Sequence, residues 1–328
     1  MTRIDLENHF AAAEWLEAVR RNDIQAPAWA ISMFRPGSPA SVALTDLGEG
    51  RIKAMDEAGI DLAILSLSAP GIEQFEPRTA TRIAKAANDE LAAAISKYPD
   101  RFGGFAALSA RDTDAAVVEF ERCVKELGFV GWNTHSNFGD SYLDEKRYWP
   151  LLAKAEELAA PIYIHPDLPI IPQFCTYGFG LAGPSYGYGA ETALAMMRLV
   201  IGGVFDVFPN LKIILGHYGE GLPFMMDRVN RPYVQGLVQT DPAVAPSLKR
   251  TPAEYLRDNM VVTTSGNYST EAFVCTKNAL GYGRIALGSD YPYESMRVCM
   301  DFLEAQSMSP SEAQELYETT ANSLGVRA

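Results

Sequence analysis

Eight short apolar runs, each bounded by turn residues and separated by helix-like stretches, constrain this chain more than any other feature. They fall at residues 3–6, 61–67, 104–108, 129–133, 161–164, 212–215, 260–264 and 284–287. Runs such as LAILSL, PIYI, KIIL and MVVTT are almost continuously apolar, as strands covered on both faces are, and polar residues arrive only at their C-terminal ends. Residues 112–127 show the intervening pattern best: an Asp cap, apolar Val117, Phe120, Val124 and Leu127 at helical spacing, then Gly128 as a stop. Residues 148–158, 191–204 and 309–324 behave alike. Strands alternating with helices predict a parallel sheet. Eight such units in 328 residues, with no Pro/Gly/Ser-rich linker, predict an α/β fold: one closed (β/α)8 TIM barrel forming a single domain over 1–328. Two long irregular segments, 22–50 and 167–189, follow the first and fifth runs. In a barrel both lie on the C-terminal face, where loops shape a substrate pocket.

Composition narrows the partners. With 48% hydrophobic and 21% charged residues the chain is a folded globular protein. Its 28 Lys plus Arg against 41 Asp plus Glu leave a net charge of −13, which opposes attraction to nucleic acid or anionic lipid. Cys123, Cys175, Cys275 and Cys299 lie far apart without paired spacing, so neither a CxxC metal site nor a disulfide framework is expected, and a reducing cytoplasm fits. The opening MTRIDLENHF places acids and a histidine where an export signal would need an apolar run, and the apolar stretch 193–208 is broken by Arg198 and Asp206. No glycine-rich dinucleotide fingerprint follows the first run, so no organic cofactor is expected.

The chemistry sits at the strand ends. Of four histidines, His9, His135, His165 and His217, the last two close the fifth and sixth runs in IYIHP and IILGH, while Asp290 closes the eighth in IALGSD. Glu7 and His9 stand two apart at the end of the first run, and period-two alternation points both to the barrel interior. Barrel closure would bring these ends around one mouth. Any one of them could be a satisfied core histidine or a capping acid. Together they would be costly without an ion, and mixed imidazole and carboxylate donors suit a divalent cation such as zinc or manganese at an open, catalytic site. The predicted ligands are Glu7, His9, His165 and Asp290. In LGHYGEGLP, His217 and Glu220 read as a proton-handling pair, although an acid opening a helix is also favoured by the macrodipole. Arg228 could meet an anionic substrate or form a surface ion pair.

As a set, LENHF, AILSLSAPG, AANDELA, YPDRFGGFAAL, ELGFVGWN, YLDE, PIYIHP, ILGHYGEGLPFMMDR, VVTTSGN and SDYPYE resemble the decarboxylases of the amidohydrolase superfamily. That group acts on γ-resorcylate, 2,3-dihydroxybenzoate, 5-carboxyvanillate and aminocarboxymuconate semialdehyde. The resemblance implies that Glu7, His9, His165 and Asp290 hold the metal, that His217 and Glu220 assist proton transfer, and that Asp290 delivers a proton to the substrate ring before CO2 leaves. It also implies a small aromatic carboxylate substrate and a homodimer or homotetramer. Where the benzoate decarboxylases carry a substrate-touching asparagine, this chain has WNTHSN, which puts His135, with Asn133 and Asn137 beside it, in that place. Tyr293, next to Asp290, and the Tyr/Phe/Gly-rich QFCTYGFGLAGPSYGYG suit a flat ring, or packing and subunit contact.

Two other classes compete. A metal-dependent lactone or amide hydrolase would use Asp290 as base for a bound water, and a metal-dependent binding module would leave its ligand unchanged.

Overall fold

A computed structural model describes residues 1–238 and 246–326. All eight predicted strands are present: β1 (Ile4–Phe10), β2 (Leu62–Leu67), β3 (Phe102–Ala106), β4 (Gly131–His135), β5 (Ile162–His165), β6 (Ile213–Leu215), β7 (Met260–Thr263) and β8 (Ile285–Ala286). They pair in parallel in sequence order. A backbone bond from Leu6 N to Leu287 O (2.9 Å) and a bridge between Asn8 and Tyr291 bring the last strand back to the first. The result is a (β/α)8 TIM barrel.

Alternation along the strands sorts two cores. Ile4, Leu6, Leu62, Ile64, Phe105, Tyr163, Ile214 and Val261 fill the barrel interior, and the C-terminal Leu324 and Val326 pack against the same cluster. Residues of the opposite phase, such as Leu65, Trp132, Ile164, Leu215 and Val262, pack outward under the helices. Both faces are therefore buried, which is why the sequence showed near-continuous apolar runs instead of a clean alternation.

Three local differences from the sequence expectation matter for the site. First, β1 continues to Phe10, so Glu7 and His9 lie within it. Second, β1 carries a bulge: Asp5 pairs with Ala63 but Asn8 with Leu65, leaving Leu6 and Glu7 opposite Ile64 alone. Third, the two long top-face segments are built largely of short helical turns. Residues 22–50 contain Ala28–Ile31, Ser32–Phe34 and Pro39–Thr45, and residues 167–189 contain Pro172–Cys175 and Phe179–Ala182. Turns this short cannot display a helical period in sequence.

Cys123, Cys175, Cys275 and Cys299 are all unpaired. Among the described residues no helix is long and apolar enough to cross a membrane.

Ile214 is fully buried in the barrel interior. Its replacement by Ala should lower unfolding free energy by about 2–5 kcal/mol, because a filled barrel relaxes poorly around a cavity. A denaturant midpoint that falls with an unchanged slope checks this.

Candidate metal centre and active site

The strand ends deliver Glu7 and His9 from β1, His165 from β5 and Asp290 from the turn after β8. One ligand atom from each lies within 4.8 Å of the others, and all four residues are buried. Among the described residues none hydrogen-bonds Glu7 Oε1, His9 Nε2, His165 Nε2 or Asp290 Oδ1. The closest approach, His9 Nε2 to Asp290 Oδ1, is 3.1 Å yet is misaligned for a hydrogen bond, and His165 Nε2 stands 3.7 Å from Glu7 Oε1 and 3.8 Å from Asp290 Oδ1. Buried polar atoms left without partners cost roughly 1–3 kcal/mol each. Four of them converging on one point fit a divalent cation, and the donor set of two imidazoles and two carboxylates matches one of borderline hardness.

Three of the four side chains are held from behind. His165 Nδ1 donates to Pro166 O (2.9 Å), which leaves the Nε2 lone pair for the cluster. His9 Nδ1 is hydrogen-bonded to Ser66 Oγ (3.1 Å), its register partner on β2. The Tyr163 hydroxyl meets Thr263 Oγ1 (3.0 Å), which donates to Glu7 Oε2 (2.7 Å) and leaves Oε1 free. Burial, followed by the neighbouring His165, pushes the His9 imidazole below its ordinary pKa, so it stays neutral. Burial alone would raise the Asp290 carboxyl, but the imidazoles of His165, His217 and His9 around it hold it well below the usual range.

His217 and Glu220 sit on a turn of unusual hand. Residues 217–221 all have positive φ, between 53° and 80°, and three of them are not glycine. Left-handed backbone costs a non-glycine residue about 1–2 kcal/mol. Here the turn folds Glu220 back so that its Oε1 lies 2.7 Å from His217 Nδ1, while His217 Nε2 faces Asp290 Oδ2 at 3.6 Å. Gly266 makes room, since a Cβ there would lie 2.6 Å from the His217 ring. Burial works against a charge on His217, but the Glu220 carboxylate, with Asp290 and Glu7 beyond it, holds its pKa well above the ordinary value.

Above the cluster opens a cavity of about 540 Å³. Ile31, Met33 and Phe34 from one long segment and Leu168 and Phe179 from the other form an apolar wall, while His165, Asp167, His217, Asp290 and Tyr293 supply polar atoms. A slot of this kind suits a flat ring. No lysine or arginine is among its lining residues.

The structure thus brings together Glu7, His9, His165, Asp290, His217, Glu220 and Tyr293, whose hydroxyl pairs with Ser68 Oγ. Asn133 and His135 share register with Tyr163 and His165 and so face the barrel axis, but neither lines the cavity. His135 is buried with its Nδ1 3.0 Å from Glu73 Oε2. Arg228 is exposed on the helix Leu222–Val234, away from the lining. Sequence reasoning missed Ser66, Glu73, Thr263 and Asp167. Ser66 and Thr263 had a usable signal, being polar residues at the ends of apolar runs; the other two lie on loops with no pattern.

The sequence matches the amidohydrolase family profile over residues 4–321. It is 37% identical to the γ-resorcylate decarboxylase of Rhodococcus jostii over 98% of both chains. The fold superimposes on 5-carboxyvanillate decarboxylase from Sphingomonas paucimobilis with a TM-score of 0.92 and 30% identity, covering 99% of each chain. A dihydroxybenzoic acid decarboxylase from a Polaromonas species, with bound manganese and the inhibitor 2-nitroresorcinol, matches with a TM-score of 0.86 and 35% identity over 100% of this chain and 98% of that one.

Replacing Glu220 by Gln removes the charge that holds the proton on His217. A raised pKa keeps the ring protonated to higher pH, so the alkaline limb of the kcat–pH profile should move to lower pH by about one unit or more. An unmoved limb would mean that the His217 proton has no part in turnover.

Proposed function

The chain belongs to the amidohydrolase family, and we propose that within it this protein is a metal-dependent carboxy-lyase removing CO2 from a hydroxylated, dihydroxybenzoate-like aromatic acid. One observation carries the reading: four unpartnered ligand atoms converge at the floor of a ring-sized cavity, beside the hydrogen-bonded His217–Glu220 pair. Glu7, His9, His165 and Asp290 are the ligands we assign. Manganese is the cation favoured by the donor set and by the manganese in the Polaromonas relative, and zinc accepts the same donors. When bound, the cation acts as a Lewis acid toward the substrate's oxygens.

The remaining work falls to side chains. Decarboxylation breaks the bond from the ring to the carboxyl carbon and forms a carbon–hydrogen bond at the same position, consuming one proton. Asp290, ionised among the imidazoles, is the group we place at that carbon as a proton relay. The His217 imidazolium passes its proton across 3.6 Å to Asp290 Oδ2, Asp290 delivers it to the ring carbon, and Glu220 keeps that imidazole oriented and charged. Protonation interrupts the aromatic ring, and loss of CO2 restores it. His217 also places positive charge beside the cavity, which otherwise offers a carboxylate no protein cation.

Tyr293 borders the ring site. His135 and Asn133 support its floor from the barrel axis, and Arg228 contributes to attraction of the anionic substrate from solvent. Exposed Phe224, Met225, Val234 and Leu237, on and just beyond the helix Leu222–Val234, support assembly as a homodimer or homotetramer. The spread of free cysteines supports a cytoplasmic location.

Incubating the manganese-loaded protein with a panel of hydroxybenzoates in deuterated water tests the reaction. CO2 release with one deuterium at the former carboxyl position is expected; solvent oxygen entering the product of a lactone or amide substrate, with no CO2 from any aryl acid, would make it a hydrolase. Asp290→Asn should lose turnover by a larger factor than it loses manganese. Equal losses would reduce Asp290 to a ligand.

A further inference from the structure

We infer that Asp5, which lies outside the cavity lining and is not one of the four clustered ligands, is the positioning residue that builds the metal site by holding the β1 bulge and tying it to the turn that carries Asp290. The inference rests on the assignment of Glu7, His9, His165 and Asp290 as metal ligands.

The need for such a residue follows from strand geometry. Ile4 and Leu6 point into the barrel core, and so do Glu7 and His9, which strict alternation forbids. The phase changes because Leu6 and Glu7 together stand opposite Ile64. Without that extra residue, a strand that buries Ile4 and Leu6 would turn Glu7 and His9 outward under the helices. Bulges in parallel sheets are rare, and a bulge leaves a backbone donor outside the ladder. Asp5 supplies the missing acceptor: Glu7 N donates to its Oδ1 at 3.1 Å.

The same carboxylate reaches across to the last strand. Ser289 N donates to Oδ1 (2.9 Å), Ser289 Oγ donates to Oδ2 (2.5 Å), and Asn8 Nδ2 donates to Oδ2 (2.6 Å). Four donors converge on a fully buried carboxylate, an arrangement in which removing the acceptor strands each of them. Ser289 directly precedes Asp290, whose backbone is left-handed (φ 61°) and whose N–H donates to Glu7 O at 2.9 Å. One side chain therefore sets the backbone under both carboxylate ligands. Arg51 fixes the direction of the Asn8 amide, since its Nη1 donates to Asn8 Oδ1 (2.6 Å) while Nη2 donates to His9 O (2.8 Å). An amide at position 5 cannot reproduce this pattern: it offers one acceptor oxygen and turns an NH2 toward groups that already donate.

The test is Mn2+ titration of the metal-free full-length protein and its variants, read as free Mn2+ by electron paramagnetic resonance. Asp5→Asn should raise the Mn2+ Kd about 10–100-fold, the usual cost of disturbing the groups behind a ligand, and Ser289→Ala should raise it by a smaller factor. Asn259→Ala is the control. It removes two hydrogen bonds of a buried amide, to Pro209 O and Leu211 O, at the other end of the barrel, and should leave the Kd unchanged while lowering Tm. Wild-type Kd values in both Asp5→Asn and Ser289→Ala would overturn the inference, as would an equal rise in the control. Absence of Mn2+ binding by the wild-type protein would instead overturn the metal assignment, and this inference with it. Should Asp5→Asn fail to fold, Ser289→Ala against the control decides.

Discussion

Closure of β8 onto β1 is the contact on which everything else depends. Glu7 and His9 leave one edge of the sheet and Asp290 the other, and they share a site because Leu6 bonds Leu287 and Asp290 N–H bonds the Glu7 carbonyl. Barrel closure brings opposite ends of the sheet into hydrogen-bond contact, so a ligand set drawn from residues 7 and 290 becomes local. The same closure buries all four residues of the cluster, which makes unpartnered donors and acceptors there expensive unless a cation takes them up.

That desolvated ring of groups also decides where protons reside. His9, buried beside a second imidazole, stays neutral and can offer a lone pair, whereas His217, at the rim with Glu220 at its back, is held protonated. Two imidazoles within one site are driven to opposite charge states by what stands behind each ring. The cavity above has an apolar wall from residues 22–50 and 167–189, with His165, His217 and Asp290 among its polar lining residues.

Much of this was legible in the chain. The eight runs, their order and the clustered residues Glu7, His9, His165 and Asp290 could be named because parallel strands buried on both faces leave apolar blocks with polar ends. His217 and Glu220 were readable because the first closes the sixth run and the second follows three residues later, where a helix opens. What the runs concealed was the phase change in β1: alternation paired Glu7 with His9 correctly, yet the same rule applied from Ile4 would have placed them outside the barrel. The short helices of the two long segments were hidden because one turn carries no period. Glu73 and Asp167 were hidden because an acid on a loop carries no sign of what it will face.

The sequence by itself determined the class of fold, the candidate ligand types and the likeness to metal-dependent decarboxylases, since these depend on local pattern and residue chemistry. Tertiary structure alone decided that Asn133 and His135 face the barrel axis behind the cavity surface, that Arg228 stands in solvent, and that Asp5 links the strand bearing Glu7 to the turn bearing Asp290. Those facts depend on contacts between residues as many as 284 positions apart, and such contacts exist only after the barrel has closed.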